Sequence, residues 1–235
     1  MNIDQFSHLI TADLLMGPNS MRILDELLTK HPMQLNADDT ILDLGCGKGL
    51  TSFLLAKSTP AHIYAADLWI TEDENNANFA KWGVSGRITA IQADGSALPF
   101  EKDRFDALIS VDSYHYFAAK PGFFIEKMLP LLKKGATVRI GIPGIKNAYE
   151  NKTEELLTPW LGGDAHMFKS PAQWKELIGT HERIARAETW EMDCFESAWE
   201  DWFLTEHEYA INDHSHYKTI LKPYTCFVGI SIDLY

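Results

Sequence analysis

Apolar side chains recur along the chain in two patterns, helical spacing and short continuous runs, and their order predicts an α/β protein. Residues 4–16 and 19–31 each place apolar side chains on one helical face, and the turn at 16–19 separates them. Asn19 or Ser20 is a suitable N-cap for the second helix. Short apolar runs then alternate with further helical patterns. The predicted strands are 40–45, 62–67, 88–92, 106–111 and 136–142, and the predicted helices are 50–57, 72–82 and 121–133.

Beyond residue 143 this alternation stops. Helical patterns at 150–161 and 171–179 precede strand patterns at 186–193 and 225–232, with an aromatic, acidic helical stretch between the two strands. Strands that alternate with helices form a parallel sheet with helices on both faces. We therefore predict a Rossmann-like, mostly parallel sheet of seven strands, with an N-terminal helical lid and a helical insertion after strand five.

The charge balance and the cysteine content limit the possible partners. The formal net charge is −12 and no Lys/Arg cluster interrupts it, which argues against a nucleic-acid partner. Three cysteines without metal-ligand spacing favour a reducing, cytoplasmic compartment. The start has no basic region before a long apolar run, and no apolar stretch is long enough to span a bilayer. We expect neither a secretory signal nor a membrane partner.

The richest motif is the run Thr-Ile-Leu-Asp-Leu-Gly-Cys-Gly-Lys-Gly at residues 40–49. A strand ends with Asp43 and the chain then turns through Gly45, Gly47 and Gly49 into a helix. Glycines allow a sharp turn and a close approach of backbone to ligand. We expect the amides of this turn and of the helix N-terminus to face a ligand. The alternative is a tight strand–helix connection that binds nothing.

Acidic residues also end the next strands. Asp67 lies 22 residues after Gly45 and can accept hydrogen bonds from ribose hydroxyls, or can cap the following helix. Asp94 can accept from an adenine amine, or can form a turn beside Gly95. Asp112 ends the fourth strand, where it can also simply hold the next loop. Together these positions predict a cleft for an adenosine-bearing ligand at the carboxyl ends of the strands.

The glycine spacing and Asp43 help to distinguish two adenosine-bearing ligands, NAD and S-adenosylmethionine. A dinucleotide fingerprint is Gly-x-Gly-x-x-Gly, whereas here position 50, where the third glycine would fall, is Leu50. A carboxylate before the turn suits a cationic ligand better than a pyrophosphate. The charge argument therefore favours the sulfonium of S-adenosylmethionine over NAD.

These motifs resemble those of class I S-adenosylmethionine-dependent methyltransferases of the small-molecule kind, including the ubiquinone/menaquinone biosynthesis type. The resemblance covers about residues 40–143 and implies that Gly45 and Gly47 approach the methionine part of S-adenosyl-L-methionine. It further implies roles for Asp67 at the ribose, Asp94 at the adenine and Leu68 on the adenine face. The cofactor-binding residues it implies are Asp43, Gly45, Cys46, Gly47, Asp67, Leu68, Asp94, Gly95, Ser96, Asp112 and Ser113, the last two bordering the transfer site.

We expect one domain, because 235 residues suffice for a full core. Residues 1–35 would form an N-terminal helical cap and 36–143 the cofactor-binding core. Residues 144–235 would supply the acceptor-side insertion and the C-terminal strands. The turn at Met16-Gly17-Pro18 is the candidate lid.

The predicted reaction is methyl transfer to a nucleophilic O, N, C or S atom of a small-molecule acceptor. His115 is the candidate base if the acceptor must lose a proton, although it can equally be a hydrogen-bonded loop histidine. The predicted acceptor pocket comprises Tyr114, Tyr116, Trp160 and His166, and no metal site is expected. Two alternatives stay open: a nicotinamide-dependent oxidoreductase, and a non-catalytic module that binds S-adenosylmethionine.

Overall fold

A computed structural model describes residues 2–235, so Met1, the first residue of the predicted cap, lies outside the described residues. The strands are β1 (Thr40–Leu44), β2 (His62–Asp67), β3 (Ile88–Gln92), β4 (Phe105–Val111), β5 (Leu132–Ile145), β6 (Ile184–Glu191) and β7 (Thr225–Leu234). The α-helices are α1 (Ser20–Lys30), α2 (Leu50–Ser58), α3 (Glu72–Lys81), α4 (His115–Ala118), α5 (Thr153–Leu161), α6 (Pro171–Ile178), α7 (Phe195–Phe203), α8 (Glu208–His216) and α9 (Lys222–Tyr224). Short 3₁₀ or π turns occupy Ile3–Leu9, Ser85–Arg87, Phe124–Met128, Leu129–Leu131, Asn147–Lys152, Gly162–Met167 and Tyr217–Leu221.

The seven strands form one sheet in the order β3-β2-β1-β4-β5-β7-β6. Neighbouring strands from β3 to β5 are parallel, and β7 is antiparallel to both of its neighbours. The predicted seven-stranded, mostly parallel sheet is therefore confirmed. The strand order reverses at β1, between β2 and β4, which is where ligands bind in such sheets, beyond the carboxyl ends of the strands.

Both faces of the sheet are covered, which explains why its central strands are apolar throughout. Ile41 of β1 packs into the cluster that contains α1 and α2, whereas the next residue, Leu42, packs into the cluster on the opposite face. Ile109 and Leu108 of β4 divide in the same way. Each strand therefore anchors two layers, and its end is fixed from both sides.

The N-terminal segment differs from its prediction. The α-helix predicted at 4–16 is wrong, because the structure has a 3₁₀ segment over Ile3–Leu9 and turns after it. Ile3 and Leu9 are buried, and the ring of Phe6 meets that of Phe53 edge-on at 5.2 Å. A spacing of three residues aligns these side chains on one face of a 3₁₀ helix. Packing onto α2 has overridden the helical pattern.

The connection before β5 also differs. The α-helix predicted at 121–133 is wrong, because a π turn over Phe124–Met128 is followed by a 3₁₀ turn over Leu129–Leu131. Pro130 lies in this second turn and has no N–H to donate, so a regular helix cannot continue through it. No helix within residues 2–235 combines the length and the apolar character needed to cross a membrane.

Candidate active site

A cavity of about 710 Å³ opens at the carboxyl ends of the parallel strands. The loops after β1 to β4 form one side of it, and the turn before α1 forms the other. This volume is within the usual range for a small-molecule site. Its lining includes Met16, Gly47, Asp67, Asp94, Asp112 and Tyr116.

The loop after β1 requires glycine. Gly45, Gly47 and Gly49 have φ values of 71°, 53° and 89°, in the left-handed region that glycine adopts without penalty. An alanine methyl at Gly45 would also lie 2.2 Å from Ser113 Oγ. The sequence motif therefore marks both an unusual backbone path and a close contact with the loop after β4.

The prediction that the amides of this loop face a ligand is wrong for Gly45, Cys46 and Gly47, because these three donate within the protein. The N–H groups of Gly45 and Cys46 both donate to Ala66 O, at 2.8 and 3.1 Å. The N–H of Gly47 donates to Asp67 Oδ2 at 2.9 Å. These bonds tie the loop to the end of β2. The loop therefore offers a ligand its exposed backbone surface, while its donors hold the loop in place.

Asp43 lies beneath the cavity rather than in its lining. The carboxylate is fully buried and accepts hydrogen bonds from the hydroxyls of Thr51 and Ser52, at 2.7 and 2.6 Å, while its Oδ1 has no partner within residues 2–235. Burial raises the pKa of Asp43 to about 6, opposed by those two hydroxyl donors. Of these three residues, only Thr51 lines the cavity.

Asp67 is the most extensively hydrogen-bonded acid of the cavity. Its Oδ1 accepts from the N–H groups of Trp69 and Ile70 at 2.8 and 3.0 Å, and its Oδ2 accepts from Gly47. A carboxylate has about four lone-pair positions, so about one remains for a ligand hydroxyl. The side chain does not cap α3, because Thr71 does so. Asp67 therefore joins the loops after β1 and β2 at the cavity wall.

Asp94 forms the turn that the sequence left as an alternative, and it lines the cavity as well. Its Oδ1 accepts from the backbone N–H and the hydroxyl of Ser96, at 2.7 and 2.8 Å. These two donors lower the pKa of Asp94, the backbone N–H being the larger cause. Gly95 follows, and an alanine methyl there would lie 3.0 Å from the ring of Phe117. The turn is thus packed against the segment after β4.

Asp112 and Ser113 continue the loop after β4. Asp112 has a φ of 55°, unusual for a residue with a side chain, and its N–H donates to Gly141 O at 2.8 Å. The hydroxyl of Ser113 donates to Leu44 O at 2.8 Å, which ties this loop to the glycine loop. Both residues line the cavity, as does Leu68, whose side chain is half-exposed.

The predicted acceptor residues divide between the cavity and other places. Tyr116 lines the cavity. Tyr114 is buried beside Trp174 and is not in the cavity lining, although its ring contacts Phe117 and Phe123, which are. Trp160 donates to Asp213 Oδ1 at 2.9 Å and packs against Phe168 outside the cavity lining.

Two histidines also lie away from the cavity lining. His166 is exposed and bonds to Gly163 O at 2.7 Å through Nδ1. His115 is buried behind Tyr116, with the ring centroids 4.1 Å apart, and its Nδ1 has no partner within residues 2–235. Burial lowers the pKa of His115 to about 3, so the imidazole is neutral near pH 7 and is a weak proton acceptor. The structure therefore gives no support to His115 as the base.

Several residues that complete the cavity were not singled out from the sequence. Trp69 lies at the rim with 63% of its surface exposed, and its ring is 5.8 Å from that of Tyr116. Lys120 and Lys127 line the cavity from the segment after α4. Trp69 could have been predicted from its position two residues after Asp67, because the loop that follows a strand end borders the ligand site in such sheets. Within residues 2–235, no three His, Cys, Asp or Glu side chains are grouped so as to hold a metal ion.

Comparisons with known proteins show what the chain is similar to. Residues 41–135 match the methyltransferase domain family. A phosphoethanolamine N-methyltransferase of Triticum aestivum is 28% identical over 160 residues, which are 67% of this chain and 31% of that protein. A demethylmenaquinone methyltransferase of Clavibacter sepedonicus is 31% identical over 121 residues, which are 48% of this chain and 47% of that protein. The chain thus spans less than half of the length of these relatives.

The fold is also found in solved structures. Geranyl diphosphate C-methyltransferase from Streptomyces coelicolor A3(2), in complex with S-adenosyl-L-homocysteine, superimposes with a TM-score of 0.69. The two proteins share 16% sequence identity, and the match covers 89% of this chain and 78% of that one. The sheet, the glycine loop and the family match of residues 41–135 agree. Residues 41–135 therefore match the methyltransferase domain family, as the sequence motifs predicted, and the chain has the fold of this solved structure.

Proposed function

We propose that this protein transfers a methyl group from S-adenosylmethionine to a nucleophilic atom of a small-molecule acceptor. The observation that carries the proposal is the position of Asp67, held by three backbone N–H groups at the tip of β2, on the wall of a cavity of about 710 Å³. A carboxylate fixed there can accept a hydrogen bond from a ribose hydroxyl. The match of residues 41–135 to the methyltransferase domain family supports the same cofactor.

The residues present fit an adenosyl sulfonium compound. Asp94 can accept from the adenine amine, and the half-exposed Leu68 offers an apolar contact to the adenine ring. Gly47 lines the cavity without a side chain, so a methionine moiety can approach its backbone. Asp43 provides negative charge beneath the loop, with one buried oxygen unpartnered. Positive charge near the glycine loop is therefore favoured.

The sulfonium supplies an already activated methyl group. The protein's task is to align the acceptor, to exclude water and to remove a proton where the acceptor carries one. The turn at Met16 and Gly17 closes part of the cavity: an alanine methyl at Gly47 would lie 3.3 Å from Met16 Sδ. We propose this turn as the lid, with residues 144–235 on the acceptor side. The cytoplasmic location also stays a proposal, supported by the three free cysteines.

Calorimetric titration with S-adenosylhomocysteine tests the cofactor. We expect saturable binding by the native protein, and binding about 10- to 100-fold weaker for Asp67→Asn, since a hydrogen bond to a charged group contributes about 1.5–3 kcal/mol. Asp38→Asn removes the same charge from an exposed position before β1 and should bind like the native protein.

Titration with NADH in the same experiment separates the nicotinamide alternative. Binding of NADH but not of S-adenosylhomocysteine would overturn the proposal. Binding of S-adenosylhomocysteine with no methyl transfer from S-adenosylmethionine to a broad panel of metabolites would support the non-catalytic alternative instead.

A further inference from the structure

The cavity has two chemically different ends. Phe117, which covers Gly95, is followed by the segment that brings Lys120 and Lys127 to the cavity. At the other side, an alanine methyl at Gly17 would lie 2.7 Å from Asp112 Oδ2, so the turn before α1 closes directly over this carboxylate. We call these the loop end (Gly45–Gly49, Asp67, Asp94–Ser96 and Phe117) and the turn end (Gly17, Trp69, Asp112 and Tyr116). Met16 lies where the two ends meet, with its sulfur near Gly47.

The carboxylate of Asp112 is not committed to the fold. Within residues 2–235, no side chain or backbone N–H donates a hydrogen bond to it, and no basic side chain forms an ion pair with it. By contrast, Asp67 and Asp94 each accept at least two hydrogen bonds from neighbouring residues. A partly buried carboxylate without a donor favours a ligand that brings one.

Other acids strengthen the negative charge around Asp112. Asp213 of α8 raises the pKa of Asp112, in addition to the larger effect of burial. Asp112, Asp164 and Asp213 each raise the pKa of the Tyr116 hydroxyl as well, again after burial. Within the described chain, the three lysines that line the cavity do not offset this charge at Asp112. Lys48 lies 3.5 Å from Glu74, and none of the three lysines is among the groups that shift the pKa of Asp112.

Aromatic rings complete the turn end. Trp69 and Tyr116 expose 63% and 53% of their surfaces at the rim, and their rings meet edge-on at 5.8 Å. Exposed aromatic faces beside a carboxylate are suited to cations, because a ring face attracts positive charge. A bare anion would meet repulsion here, and a neutral hydroxyl could donate to Asp112 but would bring no positive charge to the carboxylate and the ring faces.

We propose that the methyl acceptor is an amine, bound as an ammonium by the Asp112 carboxylate between Trp69 and Tyr116. This inference rests on the proposed methyltransferase function and specifies its acceptor. The ammonium first gives one proton to the Asp112 carboxylate and so recovers its lone pair. The neutral nitrogen then attacks the methyl group: the N–C bond forms and the C–S bond breaks, with its electron pair going to sulfur. The products are the methylated ammonium and S-adenosylhomocysteine.

The ionisation of Asp112 suits this step. Its pKa is raised to about 7, so the group can take up a proton near neutral pH and release it afterwards. His115, the nearest imidazole in sequence, lies behind Tyr116 with a lowered pKa and is not needed. Asp112 is the residue in contact with the reacting nitrogen in this proposal.

Binding of matched small molecules to the protein saturated with S-adenosylhomocysteine tests the proposal. The probes are three matched sets, each an amine, an alcohol and a carboxylate, built on benzyl, 2-phenylethyl and hexyl groups. We expect the amine of at least one set to bind about tenfold more tightly than its alcohol, and the carboxylate to bind most weakly. With S-adenosylmethionine in its place, mass spectrometry should detect the N-methylated amine. Equal binding of amine and alcohol, or no binding of any probe at millimolar concentration, would overturn the inference.

The variant Asp112→Asn separates this inference from the proposed function. We expect its affinity for the amine to fall by about tenfold, with its affinities for the alcohol and for S-adenosylhomocysteine unchanged within about twofold. Asp38→Asn is the control, because it removes the same charge from an exposed position, and its affinities for all three ligands should equal those of the native protein. If Asp112→Asn loses affinity for S-adenosylhomocysteine as strongly as for the amine, Asp112 serves the cofactor and the amine proposal fails. If the native protein does not bind S-adenosylhomocysteine at all, the proposed function fails first.

Discussion

The two ends of the cavity are built in different ways. At the loop end, Asp94 accepts both of its hydrogen bonds from Ser96, two residues away, and Asp67 accepts two of its three from Trp69 and Ile70. At the turn end, Asp112 lies close to Gly17, and the charge of Asp213 raises its pKa; these two residues are about a hundred residues away on either side in the sequence. The acids of the loop end therefore take most of their hydrogen bonds from neighbours in sequence, and the other bonds of this end tie the glycine loop to the end of β2. The turn end exists only once the N-terminal segment and α8 have packed onto the sheet.

This difference has a functional consequence. A site that is rigid before binding suits a constant ligand such as a cofactor, because little ordering is required when the ligand arrives. A site assembled from distant segments can change its shape and charge through substitutions in any one of them, without disturbing the loop after β1. The three predictions below test this division, from the largest expected effect to the smallest.

A single methyl group added at Gly45 should disrupt the loop end of the cavity. Gly45→Ala must hold a side chain at a φ of 71° and place its methyl 2.2 Å from Ser113 Oγ. The left-handed backbone costs about 1–2 kcal/mol, and overpacking adds about 1–3 kcal/mol. We expect a melting temperature lower by about 5–15 °C, measured by calorimetry, and loss of S-adenosylhomocysteine binding.

The chain contains a matched control for this substitution. Gly83 also has a positive φ, 68°, but an alanine methyl there would meet no atom within 4 Å. Gly83→Ala should therefore cost only the backbone term, about 1–2 kcal/mol, and should bind S-adenosylhomocysteine normally. Equal destabilisation by the two substitutions would show that the contact with Ser113 contributes nothing.

Loosening the turn end should leave the loop end intact. Asn19, which caps α1 directly after the turn, donates to Asp201 Oδ2 of α7 at 2.7 Å, and Arg22 Nε donates to the same oxygen. Asp201→Ala leaves both donors without this acceptor, in a partly buried position. We expect a loss of about 2–3 kcal/mol in the free energy of unfolding by denaturant titration. The affinity for S-adenosylhomocysteine should stay within about twofold of the native value.

The control is an exposed ion pair nearby. Glu196, also on α7, lies 2.9 Å from Lys222, with more than half of each side chain exposed. Glu196→Ala should cost no more than about 1 kcal/mol, because solvent screens such pairs. If Asp201→Ala weakened cofactor binding by more than about tenfold, the two ends would be coupled and the division between them would be wrong.

The same division explains what the sequence could predict. The strands β2 and β3 have the bounds expected from their apolar runs, and the glycine loop, Asp67 and Asp94 lie on the cavity as expected, because neighbours in sequence determine them. The prediction that the amides of Gly45 and Cys46 face a ligand is wrong. Both donate to Ala66 O, which comes within reach only when β2 pairs with β1.

The acceptor side could not be predicted in the same way. Trp160 is engaged by Asp213 of α8, and His115 is covered by Tyr116 and Phe168, so contacts between distant segments decide where these side chains lie. The N-terminal segment shows the same effect on secondary structure. Its helical pattern gave way to a 3₁₀ segment because Phe6 packs against Phe53.

The smallest effect concerns stability and pH at the turn end. Burial and Asp213 raise the pKa of Asp112 from 3.8 to about 7 in the folded protein, with Tyr116 as the other titratable group beside it. Between these two pH values the folded state holds a proton that the unfolded state has released. The contribution of Asp112 to stability is therefore greatest below pH 3.8 and falls as the pH rises to about 7.

Asp112→Asn removes this titration while preserving the shape of the side chain. We expect the variant to gain stability relative to the native protein as the pH rises from about 5 to about 8, by on the order of 1 kcal/mol, or about 2–4 °C in melting temperature. Thermal unfolding of both proteins and of Asp38→Asn, without ligand and across this range, measures the difference. The gain should increase with pH only for Asp112→Asn, because the exposed Asp38 has no buried charge to relieve. A gain that is the same at both pH values would mean that the Asp112 carboxylate is fully solvated in the free protein, and the turn end would then lack the uncompensated charge that distinguishes it from the loop end.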